Sequence, residues 1–384
     1  MPADFHGQAM MDVLVLTKTS LTNQFNLYLV RGDKSNLNCS ALEDGDHLAQ
    51  VKSEPLLMDY NHDMITDILA QNYNDSKRYV WIAQRNNTFV QQPAFSEDNN
   101  TIATINSNAF VDINHDDLPD VFITGEHHME FWYMSNFTYL LQSVKGIYPI
   151  DAKIVGQSTF ADLNADGNIE HIKPVCKDIS CKESAILAFV EGHKWVEIAS
   201  NFTDPDNASS QLSFATQFPI KGMTYPFTLR QADVDGDSYT DLIALMRSNG
   251  QDKVFILRNT ATENAMNRTF VASWYIKIPD SRRPVLAAFF DLHEDGRPDI
   301  LIASVAKSKQ GEPGSDYKIH GIENSQMVDA CFLKVMVASG LCFDDCSEVM
   351  QNSQPLETNA NSPVAYGTNQ PGPNVCYELI DTEG

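Results

Sequence analysis

Carboxylates recur along this chain at a spacing that suits a hard cation. In the stretch "DVDGDSYTD" (233–241), Asp233, Asp235, Asp237 and Asp241 occupy positions 1, 3, 5 and 9 of a nine-residue unit. Calcium takes six to eight oxygens at about 2.3–2.6 Å, and a tight loop can offer carboxylates at those four positions, a backbone carbonyl at position 7, and water for the rest. Position 6 suits glycine, because the chain turns sharply there. Carboxylates about 4 Å apart repel by roughly 1–4 kcal/mol per pair, so gathering them without a cation is unfavourable. The competing reading is an Asx-rich turn whose side chains only accept backbone N–H bonds.

Units of this kind return six times: "DFHGQAMMD" (4–12), "DYNHDMITD" (59–67), "DINHDDLPD" (112–120), "DLNADGNIE" (162–170), "DVDGDSYTD" (233–241) and "DLHEDGRPD" (291–299). The 233–241 unit offers the strongest ligand set, with Gly236 at position 4 and Ser238 at position 6. Asp162, Asn164, Asp166 and Glu170 follow, with Gly167 at position 6. Asp112, Asn114, Asp116 and Asp120 form a third set, in which Asp117 at the bend tolerates a left-handed turn. Asp59, Asn61, Asp63 and Asp67 supply the ligands around a poorly suited Met64. In the last unit His293 displaces an oxygen ligand beside Asp291, Asp295 and Asp299, and the first keeps only Asp4 and Asp12, so no metal is expected there. An EF-hand is excluded, since position 12 holds Ala70, Ile123, Lys173, Ala244 and Ile302 in the last five units rather than a bidentate glutamate.

The elements that must position these loops are strands. Runs such as "VLVL", "VFIT", "LIALM" and "ILIA" follow the units directly, apolar β-formers precede most of them, and no sustained helical period intervenes. Successive units start 55, 53, 50, 71 and 58 residues apart. About fifty residues holding several strands is the period of a propeller blade, a sheet that needs neighbours to cover both faces. The longest interval contains "NFTDPDNASSQLSFATQFPIKGMTYP", which reads as a surface insertion. The fold expected is all-β: a propeller over 1–326, its first part incomplete, then the start of a small β domain with a Pro/Asn-rich loop over 327–384.

Composition narrows the function. With 43% hydrophobic and 20% charged residues the chain can fill a core, and a net charge of −24 excludes nucleic acid as a partner. No signal peptide opens the sequence, and no apolar run approaches the roughly 18 residues that cross a bilayer. Two features nevertheless point to an oxidising, glycosylating compartment. Sequons begin at Asn38, Asn74, Asn86, Asn99, Asn136, Asn201, Asn207 and Asn267, against about four expected by chance. The close pairs Cys176/Cys181 and Cys342/Cys346 suit small disulfide loops, while the pairing of Cys39, Cys331 and Cys376 stays open.

These units resemble FG-GAP repeats, the calcium-loop blades of the integrin α-subunit head. The order of units, the "GQSTFADLNADG" segment before a short cysteine pair, and "VMVASGLCFDDC" with "YGTNQPGP" resemble a narrower group, the T-cell immunomodulatory protein family. That resemblance implies a seven-bladed extracellular propeller on a single-pass type I membrane glycoprotein, with roles in cell adhesion and immune modulation. Against this pattern the chain reads as a truncated form that begins inside the second blade. A membrane anchor is expected only of the full-length family member.

The function expected is a noncatalytic, calcium-binding, cell-surface module with a protein partner. The aromatic-rich "HHMEFWYMSNFTYL" (127–140) is a candidate contact loop, and equally reads as a buried strand. The alternative is a secreted propeller enzyme, a hydrolase or lyase using converging carboxylates. No nucleophile elbow, HExxH or phosphate loop supports it, and neighbouring His127 and His128 face opposite ways on a strand.

Overall fold

The computed structural model describes the chain except for residues 8–10, 22, 33–36, 40–41, 43–44, 46, 85–87, 97–99, 142–148, 150, 191–193, 216–217, 221–222, 226, 265, 294, 308–312, 326–334, 336, 339–371, 373–374 and 376–384. The expected small domain over 327–384, with Cys331, Cys342, Cys346 and Cys376, therefore falls almost wholly outside the described residues. Two compact units divide the rest, one built on Met1–Gly146 and the other on Ile147–Lys334.

Each unit carries three antiparallel, blade-like sheets of the β-propeller type, and the chain is all-β. In the first unit, blade 1 contains Pro2–Ala3, Asp12–Lys18, Phe25–Gly32 and Leu37–Asn38, with Ala49–Val51 also paired to Phe25–Gly32. Blade 2 runs Leu56–Met58, Asp67–Gln71, Arg78–Ala83 and Phe89–Pro93. Blade 3 runs Ala109–Val111, Asp120–Thr124, Met129–Ser135 and Thr138–Leu141.

In the second unit, blade 4 is built from Thr159–Ala161, Glu170–Cys176, Ser184–Val190 and Lys194–Ser200, with Ile154–Val155 beside Glu170–Cys176. Blade 5 is built from Leu229–Ala232, Asp241–Ser248, Gln251–Ala261 and Arg268–Ile276, with Ser213–Phe214 on the same edge. Blade 6 pairs Arg282–Phe290, Asp299–Lys307 and Pro313–Ile322. In every blade the acidic unit is the connection between the first two strands.

The continuous apolar run of blade 5 shows why the sheets stack. Along Asp241–Ser248, Leu242, Ala244 and Met246 enter a core shared with blade 4, which includes Ile172, Ile186 and Ala188. The alternate residues Ile243 and Leu245 enter a second core with Ala287, Ile300 and Ile302 of blade 6. Side chains alternate across a strand with a period of two, so a strand covered on both sides has no polar face to write into its sequence. A similar core joins blades 2 and 3, where Leu69, Val80 and Ile82 meet Val121, Ile123 and Trp132.

A buried network also ties blade 2 to blade 3. Arg78 reaches Glu130 with both terminal nitrogens, at 2.6 and 2.7 Å, and Trp132 Nε1 donates to the same carboxylate at 2.9 Å. Arg78 donates further to the carbonyls of Phe95 and Asn100, so its buried charge is fully satisfied.

The expected surface insertion is corrected in part. Residues 201–226 form two short hairpins, Thr203–Asp204 with Asn207–Gln211 and Phe218–Ile220 with Met223–Tyr225. Flanking the first hairpin, however, Phe202, Leu212 and Phe214 are buried in the core of blades 4 and 5. The polar ends masked an apolar anchor.

Candidate metal centre

The acidic loops are numbered here with their blades, and loops 2–6 share one set of hydrogen bonds. The carboxylate at position 1 accepts from the backbone N–H groups of positions 5 and 6: Asp59 from Asp63 and Met64, Asp112 from Asp116 and Asp117, Asp162 from Asp166 and Gly167, Asp233 from Asp237 and Ser238, and Asp291 from Asp295 and Gly296. Position 5 in turn accepts from the N–H of position 7, as Asp237 does from Tyr239 at 3.0 Å.

These bonds wind the loop so tightly that both position 4 and position 6 take positive φ. The pairs are His62 and Met64, His115 and Asp117, Ala165 and Gly167, and Gly236 and Ser238. Gly236, which sequence reasoning set against loop 5 for falling at position 4, meets a left-handed requirement there with φ 73°.

The residue at position 9 anchors the loop from behind. Asp67, Asp120, Asp241 and Asp299 are all buried, and each accepts two backbone N–H groups, one from position 2 and one from the far end of the third strand or, for Asp299, from Asn324 two residues past it. For Asp241 the donors are Val234 at 3.2 Å and Asn259 at 2.8 Å; for Asp67 they are Tyr60 at 2.9 Å and Ala83 at 2.8 Å. Glu170 receives Leu163 N–H at 2.8 Å. Burial pushes these acids up, Asp67 and Glu170 to about 7 and Asp120 and Asp241 to about 6, against the pull of the N–H donors. The four side chains expected as ligands at position 9 thus serve first as struts.

Position 3 separates the loops into three kinds. In loops 2, 3 and 4 it is asparagine, whose Nδ2 donates to the position-5 carboxylate: Asn61 to Asp63 at 3.0 Å, Asn114 to Asp116 at 3.0 Å, and Asn164 to Asp166 at 2.8 Å. In loops 1 and 6 it is histidine, whose Nδ1 meets the position-9 carboxylate, His6 with Asp12 at 2.7 Å and His293 with Asp299 at 3.0 Å.

Loop 5 alone among these has a carboxylate at position 3. There Asp233, Asp235 and Asp237 each place an oxygen within 4.8 Å of the others, the one such His, Cys, Asp or Glu group among the described residues. Asp235 is nine-tenths buried as a side chain, and no side chain of the loop donates to it. Arg258 Nε stands 2.5 Å from Asp235 Oδ2 as an ion pair, and its Nη2 lies 3.9 Å from Asp237. Burial raises the Asp235 carboxyl above its ordinary value, and the charges of Asp237 and Asp233 add to that, against the pull of Arg258.

The donor set at loop 5 fits a hard divalent cation: three convergent carboxylates, one of them largely desolvated. Of the residues proposed from sequence, the structure gathers Asp233, Asp235 and Asp237, and places Asp241 behind them. In loops 2–4 the side-chain amide already supplies the donor that a third carboxylate would lack. Sequence reasoning missed Arg258, which lies on another strand, and the roles of His6 and His293. The matching His at position 3 of both outer units was the available signal.

The aromatic segment 127–140 is chiefly a buried strand. Phe131 and Trp132 are buried in Met129–Ser135, while Phe137 at the following turn is 85% exposed and packs on His62 at 5.8 Å between ring centroids. Cys176 and Cys181 form a disulfide, and Cys39 is an exposed free thiol. Asn38, Asn74, Asn136, Asn201, Asn207 and Asn267 are all exposed; Asn86 and Asn99 lie outside the described residues. Among the described residues no helix is long and apolar enough to cross a membrane.

Comparison with known proteins agrees with this architecture. An FG-GAP-like repeat model matches residues 59–123 and 233–302, which take in loops 2, 3, 5 and 6. The human T-cell immunomodulatory protein is 28% identical over 100% of this chain and 61% of its own length. A T-cell immunomodulatory protein homolog of Plasmodium yoelii yoelii is 28% identical over 86% of this chain and 54% of its own. Protein linkin of Caenorhabditis elegans is 24% identical, over 90% and 58% respectively. The chain spans about three-fifths of the length of the curated relatives it matches.

Proposed function

Because this chain belongs to the T-cell immunomodulatory protein family and carries its FG-GAP-like repeats, we propose that it is a noncatalytic, calcium-binding protein-interaction module of the cell exterior. The observation that carries the metal half of this reading is the loop 5 triad of Asp233, Asp235 and Asp237, with its buried carboxylate at position 3. Asp233, Asp235 and Asp237 would hold the ion, with water and loop carbonyls completing its shell, while Asp241 keeps the loop tied to the third strand. Bound calcium supplies no reaction; it cancels carboxylate repulsion and stiffens the connection between two strands.

The exterior setting is supported by the six exposed sequon asparagines and by the Cys176–Cys181 disulfide, both of which suit an oxidising, glycosylating compartment. The partner in this reading is a protein, with a role in immune modulation as the family name suggests; a role in cell adhesion is part of the same proposal.

Calcium titration of thermal unfolding tests the metal. A cation that favours the folded state raises the melting temperature, by an amount equivalent to about 2.7 kcal/mol at a hundred times its dissociation constant. A melting curve indifferent to calcium and chelator would remove the metal from the proposal. Capture of a cell-surface protein that survives washing in calcium but not in chelator tests the interaction half.

A further inference from the structure

In loops 5 and 6, position 3 has a charged neighbour from the end of the same blade. The third strand, or in blade 6 the segment just after it, donates an N–H to the position-9 carboxylate, and in these two blades the residue before that donor is the neighbour. In blade 2 the donor is Ala83 and the preceding residue Ile82; in blade 3 they are Met134 and Tyr133. In blade 5 they are Asn259 and Arg258, and in blade 6 Asn324 and Glu323.

The chemistry at this place complements position 3. Acidic Asp235 goes with Arg258, in contact at 2.5 Å. Basic His293 goes with Glu323, whose charge helps to raise the imidazole above its ordinary value after the larger effects of Asp299. Loop 1 departs from the pattern, with Arg31 before the donor Gly32.

We propose that Arg258 is a tethered competitor for the cation site of loop 5: its guanidinium holds the charge balance of Asp235 and Asp237, and a divalent cation binds by displacing it. This rests on the calcium reading above. The Asp235 side chain is nine-tenths buried and no side chain of the loop donates to it, so a cation is what best stabilises its charge, and Arg258 is the cation within reach. The two cannot both hold the same oxygens at contact distance without mutual repulsion. The Arg258 side chain is 45% exposed and has a free path into solvent when displaced. The strand supplies the reason for its accuracy: the Asn259 N–H bond to Asp241 fixes the register that brings Arg258 over position 3. Affinity is thereby set by a residue outside the loop, and displacement presents a guanidinium beside an acidic surface only when metal is bound.

The test uses the full chain and calcium itself, measured by calorimetric titration, with Tb³⁺ luminescence sensitised by Tyr239 as a second probe of the same loop. Wild type, Arg258→Ala, Arg258→Gln, Asp235→Asn and, as a control on loop 6, Arg297→Ala are compared. Removing the guanidinium is expected to tighten calcium binding about tenfold or more, the effect of one like charge near 4 Å at a partly exposed site. Arg258→Gln, which keeps the bulk of the side chain, should tighten it as well. Asp235→Asn should abolish binding, and Arg297→Ala should leave it unchanged. In ¹⁵N spectra the Arg258 Nε–H signal should move on calcium addition to wild type. Equal or weaker binding in both Arg258 variants, with Asp235→Asn still abolishing it, overturns the competitor while the metal reading survives. No calcium or Tb³⁺ binding by wild type or by either Arg258 variant overturns both.

Discussion

Loops 5 and 6 lie on consecutive blades of one unit and are wound alike, yet they resolve the same electrostatic difficulty in opposite ways. Behind each loop a buried aspartate at position 9 accepts one N–H from position 2 and one from the third strand. In loop 5 burial dominates and Asp241 is pushed up to about 6. In loop 6 burial also opposes ionisation, but the Asn324 N–H and the His293 imidazole outweigh it and hold Asp299 below its ordinary value. One loop carries its counter-charge inside itself; the other leaves three carboxylates facing one another and borrows a guanidinium. A similar acidic signature therefore marks both a loop of three facing carboxylates, proposed above to take a metal, and a self-neutralised one, and position 3 tells them apart.

The comparison breaks most decisively at position 9, which is proposed to be structural in both loops. Asp241→Ala and Asp299→Ala each leave two backbone N–H groups without an acceptor, and each is expected to cost roughly 2–5 kcal/mol in urea unfolding, in chelator as much as in calcium. A loss seen only in calcium would make position 9 a ligand instead. Next in size is the metal response: calcium should stabilise wild type by about 2–3 kcal/mol at a hundredfold excess over its dissociation constant, and this gain should vanish in Asp237→Asn but persist in Asp295→Asn. The pair is sharpened by exchanging identities. The double change His293→Asp with Glu323→Arg gives loop 6 the chemistry of loop 5, and should cost about 1 kcal/mol in chelator while conferring a second calcium equivalent by titration.

The smallest effect is the pH dependence of His293. Its pKa is raised by its hydrogen bond to Asp299, so its contribution to stability is complete below the unfolded value near 6.5 and is lost as pH rises through the folded value. The stability of wild type minus that of His293→Gln should therefore decline from pH 6 upward; a flat difference refutes the pairing. Asp241 runs in the same sense for another reason: as a buried acid at about 6, its protonated form favours the folded state below its unfolded value near 4, and that advantage is lost between about pH 4 and 7.

What was legible from sequence follows from how local each interaction is. The unit spacing, the strand after each unit and the strength of the 233–241 set depend on residues within nine positions, and were readable. The left-handed position 4 was visible only as an oddly placed Gly236, because His62, His115 and Ala165 occupy it elsewhere. Arg258 was hidden because its meeting with Asp235 depends on strand register, 23 residues along the chain. Phe202, Leu212 and Phe214 were hidden by the Asn, Ser and Pro around them, since apolar anchors spaced singly make no periodic signal.

Blade 5 has no wet side. Because Leu242 and Ile243 look into different cores, deleting or transplanting this sheet would strip cover from two neighbours at once and expose oily surfaces on both. Repeats of this kind should accordingly tolerate long insertions at their rims far better than the loss of a single member from the middle of the series.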